Sequence, residues 1–509
     1  MNNPVIEPNS AASGSAGAAA NSGAAGSPAP SYRGAFMMMI PLFFLWGFIM
    51  TFNDILIQRF KDAFTLSDFQ AMLVQFAYFV AYFVGALVYF IISATKGDPI
   101  ARLGYKNSVA IGLLISAAGV ALFWPAAVAL SYPMFLSGLF VLGLGLAMLQ
   151  IAANPYVTIL GPERTASSRL NLAQGVNSIG TTTGPLIGGW LMFQVFAKSG
   201  AHPVDSVKMP YLLFCLVFAA LAVVFLFLRL PHVGEEKVER GARALKYPHV
   251  RLGMLAIFMG VGAEAATGSA IVLFLMQPDV AGLAKEVAAK YLMLYWGGYL
   301  IGRFMGAAQL SELKKSTKQI LLIVIPVAAF LFLWVAKSAP LDAIEGGGAQ
   351  GSLLALWARE FAANWAIFKM YLPFVVLCWV MFQIGKGQAG RTLMLFGATG
   401  AALLLVVMLA GGGQLAVFCV LAVGLFSSIC WSNTFSLALE DMGPLKSQVS
   451  SLLVMSILGG ALLPPLLGWI SDTTGSRAFA FIVPMIAFIY VAFYGAKGHA
   501  IRRKDLPKY

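Results

Sequence analysis

From about residue 35 onward the chain alternates long apolar runs with short polar breaks. Runs of roughly 20 residues wound as α-helix match the ~30 Å hydrocarbon core of a bilayer. Six of them occupy 36–58, 67–94, 107–128, 131–160, 168–195 and 210–230, and eight follow at 252–276, 288–310, 318–336, 367–385, 391–411, 413–438, 446–470 and 478–496. The pattern predicts an all-α integral membrane protein with about 14 transmembrane helices. Residues 1–34 lack it. They are mostly Ala, Gly, Ser, Asn and Pro, the composition of a disordered tail. They also lack the charged n-region and apolar h-region of a signal peptide.

The polar breaks divide the chain. The charged stretch 232–251, containing GEEKVERGARALK, separates a first half (35–231) from a second half beginning at 252–311. The pair of runs within 312–388 looks inserted, joined by an outside loop that carries GGGAQG and the amphipathic ALWAREFAANW. Two added spans leave the orientation of everything after them unchanged. Without them the second half is 252–311 plus 389–498, six spans to match six, followed by a basic tail at 499–509. With both termini cytoplasmic, Lys and Arg concentrate in the loops on that side, as the positive-inside rule requires. The net charge of +13 is thus a topology signal and does not call for nucleic acid. At 59% hydrophobic and 11% charged, no soluble domain could bury the chain.

Catalytic chemistry finds little to stand on. Cys215, Cys378, Cys419 and Cys430 lie in apolar runs without CxxC spacing, so neither disulfide nor metal is indicated. His202, His232, His249 and His499 all fall in predicted loops. There is no metal cluster, no activated Ser or Cys arrangement and no phosphate-binding loop. No enzyme and no cofactor are expected.

Amides and charges inside the spans are the informative exceptions. Gln150 and Asn154 are four apart, and Gln174 and Asn177 three apart, so each pair shares a helix face. Carboxamides donate and accept, which suits a neutral polyhydroxylated ligand. Two carboxylates fall well within spans, Asp54 in the first and Glu264 in the seventh. A carboxylate in hydrocarbon is costly and tends to take up a proton, which makes both candidate proton carriers. Arg303 reads as a structural anchor near a helix end. Trp296, beside Gly297-Gly298, offers a ring that could stack on a sugar.

The stretches PLFFLWGFIMTFNDIL (41–56), FQAMLVQFAYFVAYFVGAL (69–87), LQIAANPYVTILGPE (149–163), SSRLNLAQGVNSIGTTTGPLIGG (167–189), VGAEAATGS (261–269), YWGGYLIGRFMG (295–306) and SSLLVMSILGGALLPPLLGWISD (450–472) resemble the fucose–galactose–glucose:proton symporter family of the major facilitator superfamily, most closely its glucose/galactose branch. The resemblance implies two rocking six-helix halves and proton-coupled hexose uptake across a bacterial inner membrane; a monomer is expected. It places Asp54 as the coupling aspartate and Gln174 and Asn177 as sugar-contacting amides. Gln150 stands where the fucose permease has a glutamate. Trp431-Ser432-Asn433 replaces a usual Phe-Pro-Thr run, which adds Asn433 to the candidate sugar contacts. Sodium coupling, and fucose or N-acetylglucosamine as substrate, fit the same residues.

Overall fold

The computed structural model describes residues 32–66, 68–191, 195–196, 204–228, 241–338 and 353–501. The side chain of Asp54, His202, His232 and the loop 339–352 lie outside the described residues. The first half comprises α1 (Arg33–Phe64), α2 (Asp68–Lys96), α3 (Pro99–Ala121) with its short continuation α4 (Phe123–Val128), α5 (Tyr132–Ile159), α6 (Ala166–Trp190) and α7 (Asp205–Phe227). The second comprises α8 (Pro248–Leu275), α9 (Lys285–Gln309), α10 (Lys315–Lys337), α11 (Leu353–Gly385), α12 (Ala389–Ala410), α13 (Gly413–Ser427), α14 (Cys430–Leu439), α15 (Lys446–Met455), α16 (Gly459–Thr474), α17 (Arg477–Ala480) and α18 (Ile482–Phe493). Among the described residues, twelve spans are long and apolar enough to cross a membrane. The other two, α6 and α9, are 25 residues each and fall short in hydropathy rather than length. With them the bundle has the fourteen spans the pattern predicts.

The halves repeat one another in packing. In the first, α1 packs on α6, α2 on α5, and α3 on both α5 and α7. In the second, α8 packs on α16, α9 on α13, and α12 on both α13 and α18. Close helix approach is made possible by glycine. A Cβ at Gly47 would overlap the Asn177 carbonyl across the α1–α6 seam, and one at Gly459 would overlap the Phe258 carbonyl across α8–α16.

Helices α10 and α11 have no counterpart among the described helices of the first half. They pack on α9, α12 and α13 and on each other. Trp334 stacks on Phe361 at 3.8 Å and 12°, and its indole N–H donates to the Phe361 carbonyl at 2.9 Å. Toward the other end, Gln319 and Gln383 exchange amide bonds at 3.0 and 2.9 Å. These contacts explain a difference from the sequence pattern. ALWAREFAANW, expected in a loop, is helical and extends α11 back to Leu353. Phe361 and Trp365 meet Trp334 of α10, so the polar half of the pattern marks a helix face and not a break.

The halves meet firmly at one end, the end carrying the α5–α6 turn, the end of α9 and the α14–α15 turn. There α6 packs on α9 and α14, and α15 packs on α2 and α5. The α5–α6 turn is held by Arg169, whose guanidinium donates to the carbonyls of Val157 (3.0 Å), Gly161 (3.2 Å), Pro162 (3.0 Å) and Thr158 and to Thr165 Oγ1 (2.6 Å). A cation on the last carbonyls of α5 satisfies acceptors that a helix C-terminus leaves open. One histidine departs from expectation. His249 lies in the first turn of α8 and is buried, because Pro248 starts the helix earlier than the polar run suggests.

Candidate functional site

Gln150, Asn154, Gln174 and Asn177 are all buried, on neighbouring helices α5 and α6. Their partners differ. Asn177 is used by the protein: its Nδ2 donates to the Phe43 carbonyl of α1 (3.0 Å) and its Oδ1 accepts from Arg303 (3.3 Å). Gln150 Oε1, both polar atoms of Asn154 and Gln174 Nε2 have no partner among the described residues. The Gln150 and Trp46 side chains both lie beside the Tyr82 hydroxyl, which is 3.0 Å from that of Tyr78. A buried polar group without a partner costs about 1–3 kcal/mol, which a polar ligand reaching these atoms would recover.

The second half supplies the facing wall. On α9, Tyr295, Trp296, Tyr299 and Arg303 follow one another at helical spacing. The Tyr295 hydroxyl donates to the Glu264 carbonyl of α8 (2.9 Å) and lies 3.4 Å from the Tyr299 hydroxyl. The Glu264 carboxylate lies beside the Tyr299 hydroxyl and within electrostatic reach of Arg303. Glu264 retains partial exposure although it sits deep in the bundle. Trp296 is likewise partly open, with its ring 5.5 Å from that of Tyr299, and Gly268 of α8 lets it approach.

Arg303 anchors more than its own helix end. It is 7% exposed and reaches across the bundle to the first half. It donates to the Gln174 carbonyl (3.2 Å), Asn177 Oδ1 (3.3 Å), Ser178 Oγ (2.8 Å) and the Ser428 carbonyl (3.2 Å), with Tyr299 beneath it at 5.0 Å. The Ser428 carbonyl is available because α13 and α14 are separate helices, interrupted at Ser428-Ile429. A network thus runs from Glu264 through Tyr299 and Arg303 to Asn177 and on to α1, the helix that carries Asp54.

Asn433 sits apart from this group. Its Oδ1 accepts from Asn171 Nδ2 (2.9 Å) and its Nδ2 donates to the Ala389 carbonyl (3.1 Å), so both ends of the amide are engaged at the joined end. Around it, Ser167 bonds Ser436 (2.5 Å), Ser168 donates to the Ala307 carbonyl (2.6 Å), and Lys446 pairs with Glu163 (3.1 Å). Arg164 pairs with Glu312. Apart from the Asn433–Ala389 bond, these contacts cross between the halves.

The model of the Major Facilitator Superfamily matches residues 34–445. The chain belongs to the Major Facilitator Superfamily. Among curated relatives of this facilitator, a glucose/galactose transporter of Brucella abortus biovar 1 (strain 9-941) is 36% identical over 473 residues, covering 92% of this chain and 95% of the relative. An L-fucose-proton symporter of Escherichia coli (strain K12) is 27% identical over 490 residues, covering 91% and 93%. Among solved structures, a Major Facilitator Superfamily transporter, FucP, in the outward conformation aligns with a TM-score of 0.68 at 26% identity, covering 92% of this chain and 99% of that one.

Trp46, Tyr78, Tyr82, Tyr299 and the reach of Arg303 escape a reading of the sequence alone. The tyrosines and Trp46 are indistinguishable there from membrane-facing aromatics. Arg303, an intramembrane cation, carried a signal, but its spacing does not show which neighbour it meets.

Proposed function

We propose that this facilitator is a secondary active sugar transporter that takes up a hexose of the glucose or galactose type together with a proton by alternating access. The observation that carries the reading is the set of buried polar atoms on Gln150, Asn154 and Gln174 that have no partner among the described residues. A ring of hydroxyls complements both donors and acceptors, whereas an apolar cargo would leave both unsatisfied and an acceptor-only anion would leave the acceptors so. The names of the relatives agree in class.

In this reading the joined end faces the cytoplasm, by the charge bias of the loops, and the sugar enters from the opposite side. Trp296 stacks on the sugar ring from the second half. Asn177 positions the site through Phe43 and Arg303. Asn433 serves the joined end, held by Asn171 and Ala389 in this conformation, and contacts sugar only once that end opens. Asp54 carries the coupling proton. Glu264 senses the proton or the sugar through Tyr299 and Arg303. Coupling requires that sugar and proton bind the two states with different affinity. The pair α10–α11 is an insertion that leaves the transport path to the other twelve spans. The protein works as a monomer in the inner membrane with both termini inside, and needs no cofactor beyond the coupling ion.

Uptake of labelled galactose into proteoliposomes, with a pH gradient in sodium-free buffer, tests this directly. Accumulation that follows the proton gradient and is competed by unlabelled glucose supports it. Accumulation only with sodium, or none with any hexose, overturns it. Asp54→Asn is expected to abolish uphill uptake and to spare counterflow exchange.

A further inference from the structure

The stretch between the halves ends in a segment that the fold uses. Residues 241–247 run along the joined end between α2 and α15. The Gly241 N–H donates to the Ala94 carbonyl in the last turn of α2 at 2.8 Å. The Gly241 carbonyl accepts from Gln448 Nε2 at 3.0 Å, and the Ala244 N–H donates to Gln448 Oε1 at 2.9 Å. The same Nε2 lies 3.5 Å from Ser93 Oγ on α2. Gln448 is 2% exposed and Ala244 fully buried. One amide from the second half therefore holds the linker by both of its polar ends and touches the first half as well. Next to it, Ser447 lies 3.5 Å from the Tyr105 hydroxyl of α3, so the first turn of α15 is seated in the corner between α2 and α3.

We propose that residues 241–247 form a strap that locks the joined end, with Gln448 as its catch. A passive tether has no reason to bury the Ala244 amide or to bond its exposed Gly241 to both halves, since water satisfies such groups at no cost. Here the backbone bonds are made to both halves. Rocking the halves apart at this end moves α2 away from α15, and Gln448 cannot then hold both Ser93 and the strap. The Ala94–Gly241 bond and the Gln448 bonds become a barrier on the way to the state open at this end. Each buried amide left without its partner during that movement raises the barrier further. Gly241 has φ +85°, a left-handed turn that sets the strap's direction and that other L-residues adopt only with strain. The strap rests on the alternating-access reading above, but its test does not depend on any sugar being carried.

The reporter is the rate at which a maleimide labels Cys introduced by Ser436→Cys in open membranes, with the parent chain's own labelling subtracted. Ser436 is 7% exposed, at the wall of a crevice and against Ser167 across the joined end, so a rise of labelling above the rate of the otherwise unchanged Ser436→Cys chain follows opening there. Gln448→Leu is expected to raise the rate about fivefold or more. Gly241→Val is the second variant. A Cβ at Gly241 meets only Arg243 Cγ, at 4.0 Å, so the substitution strains the turn without crowding a core. It is expected to raise labelling about threefold. A rise in both variants supports the strap. Labelling at the parent rate in both overturns it. A rise with Gln448→Leu alone also overturns it, since Gln448 would then act only as a contact between α15 and α2. If the parent carries no hexose but both variants label faster, the transport reading fails and the strap stands.

Discussion

At the scale of single residues, the site is a division of labour among amides that look alike in sequence. Asn177 spends both ends on Phe43 and Arg303, whereas Gln174 keeps its Nε2 free. Gln174→Ala is therefore expected to raise the KM for hexose uptake roughly tenfold, about 1.4 kcal/mol, with little change in maximal rate. Concentration-dependent uptake checks it, and an unchanged KM would remove Gln174 from the sugar contacts. Arg303 bears a different load. Arg303→Gln leaves Glu264 without its nearby cation and loosens α9 from α6. Removing one partner of a buried charged set is costlier than removing both. The double variant Glu264→Gln/Arg303→Gln should then melt at a higher temperature than Arg303→Gln alone, by several degrees. Equal melting temperatures would show that the two groups are not coupled. Neither double nor single variant is expected to sustain uphill transport.

At the scale of helices, polarity and function coincide. The two spans that fall short in hydropathy, α6 and α9, are those that bring Gln174, Asn177 and Arg303 to the bundle centre. A helix that lines a polar path cannot also be uniformly apolar, because its inward face would then bury nothing that binds. Their shortfall is a functional signature. The pair α10–α11 is the opposite case. Its residues Ile320, Ile323, Val324 and Val327 stay exposed on an outer apolar face suited to lipid, and its polar bonds tie it to itself and to its supports. Trp334→Ala removes the stack on Phe361 and the bond to its carbonyl. A loss of stability of about 2–4 kcal/mol is expected, read as a lower melting temperature, with the KM for sugar unchanged. A shifted KM would place this pair in the transport path.

For the molecule as a whole, the joined end carries charges on both halves. Glu163 of the first half is held by Lys446 and by the Asp441 N–H of the second, at 3.1 and 3.2 Å. Glu440 borders the same crevice, a cavity of about 580 Å³ that also meets Arg391 and His499. Desolvation at the crevice wall, with Asp441 and Glu163 alongside, holds the Glu440 carboxyl above the usual carboxylate range. A carboxyl whose pKa is raised on joining stabilises the joined state most at low pH, and that contribution is lost as pH rises through the raised value. Acidification on this side should therefore slow labelling of Ser436→Cys beyond the slowing of a free thiol over the same pH range. Glu440→Gln should flatten that dependence and leave slow labelling at every pH. A variant that keeps the parent's pH profile would assign the effect to another group.

Much of this was legible in the chain. The spacing of apolar runs determines fourteen helices, because nothing but a helix satisfies its own backbone in lipid. The paired amides and the carboxylates Asp54 and Glu264 within apolar runs were visible as exceptions to that pattern, and the motifs around them pointed to the right superfamily. The linker's position between halves was equally plain. What only the tertiary structure decided is who meets whom across the bundle. Sequence spacing orders side chains around one helix, but the contacts of Arg303 with α6, of Gln448 with the strap and of Asn433 with Asn171 join residues more than 100 positions apart. Those pairings depend on how two rigid halves settle against each other, a geometry that glycine seams and a handful of buried polar bonds fix only once the whole chain is folded.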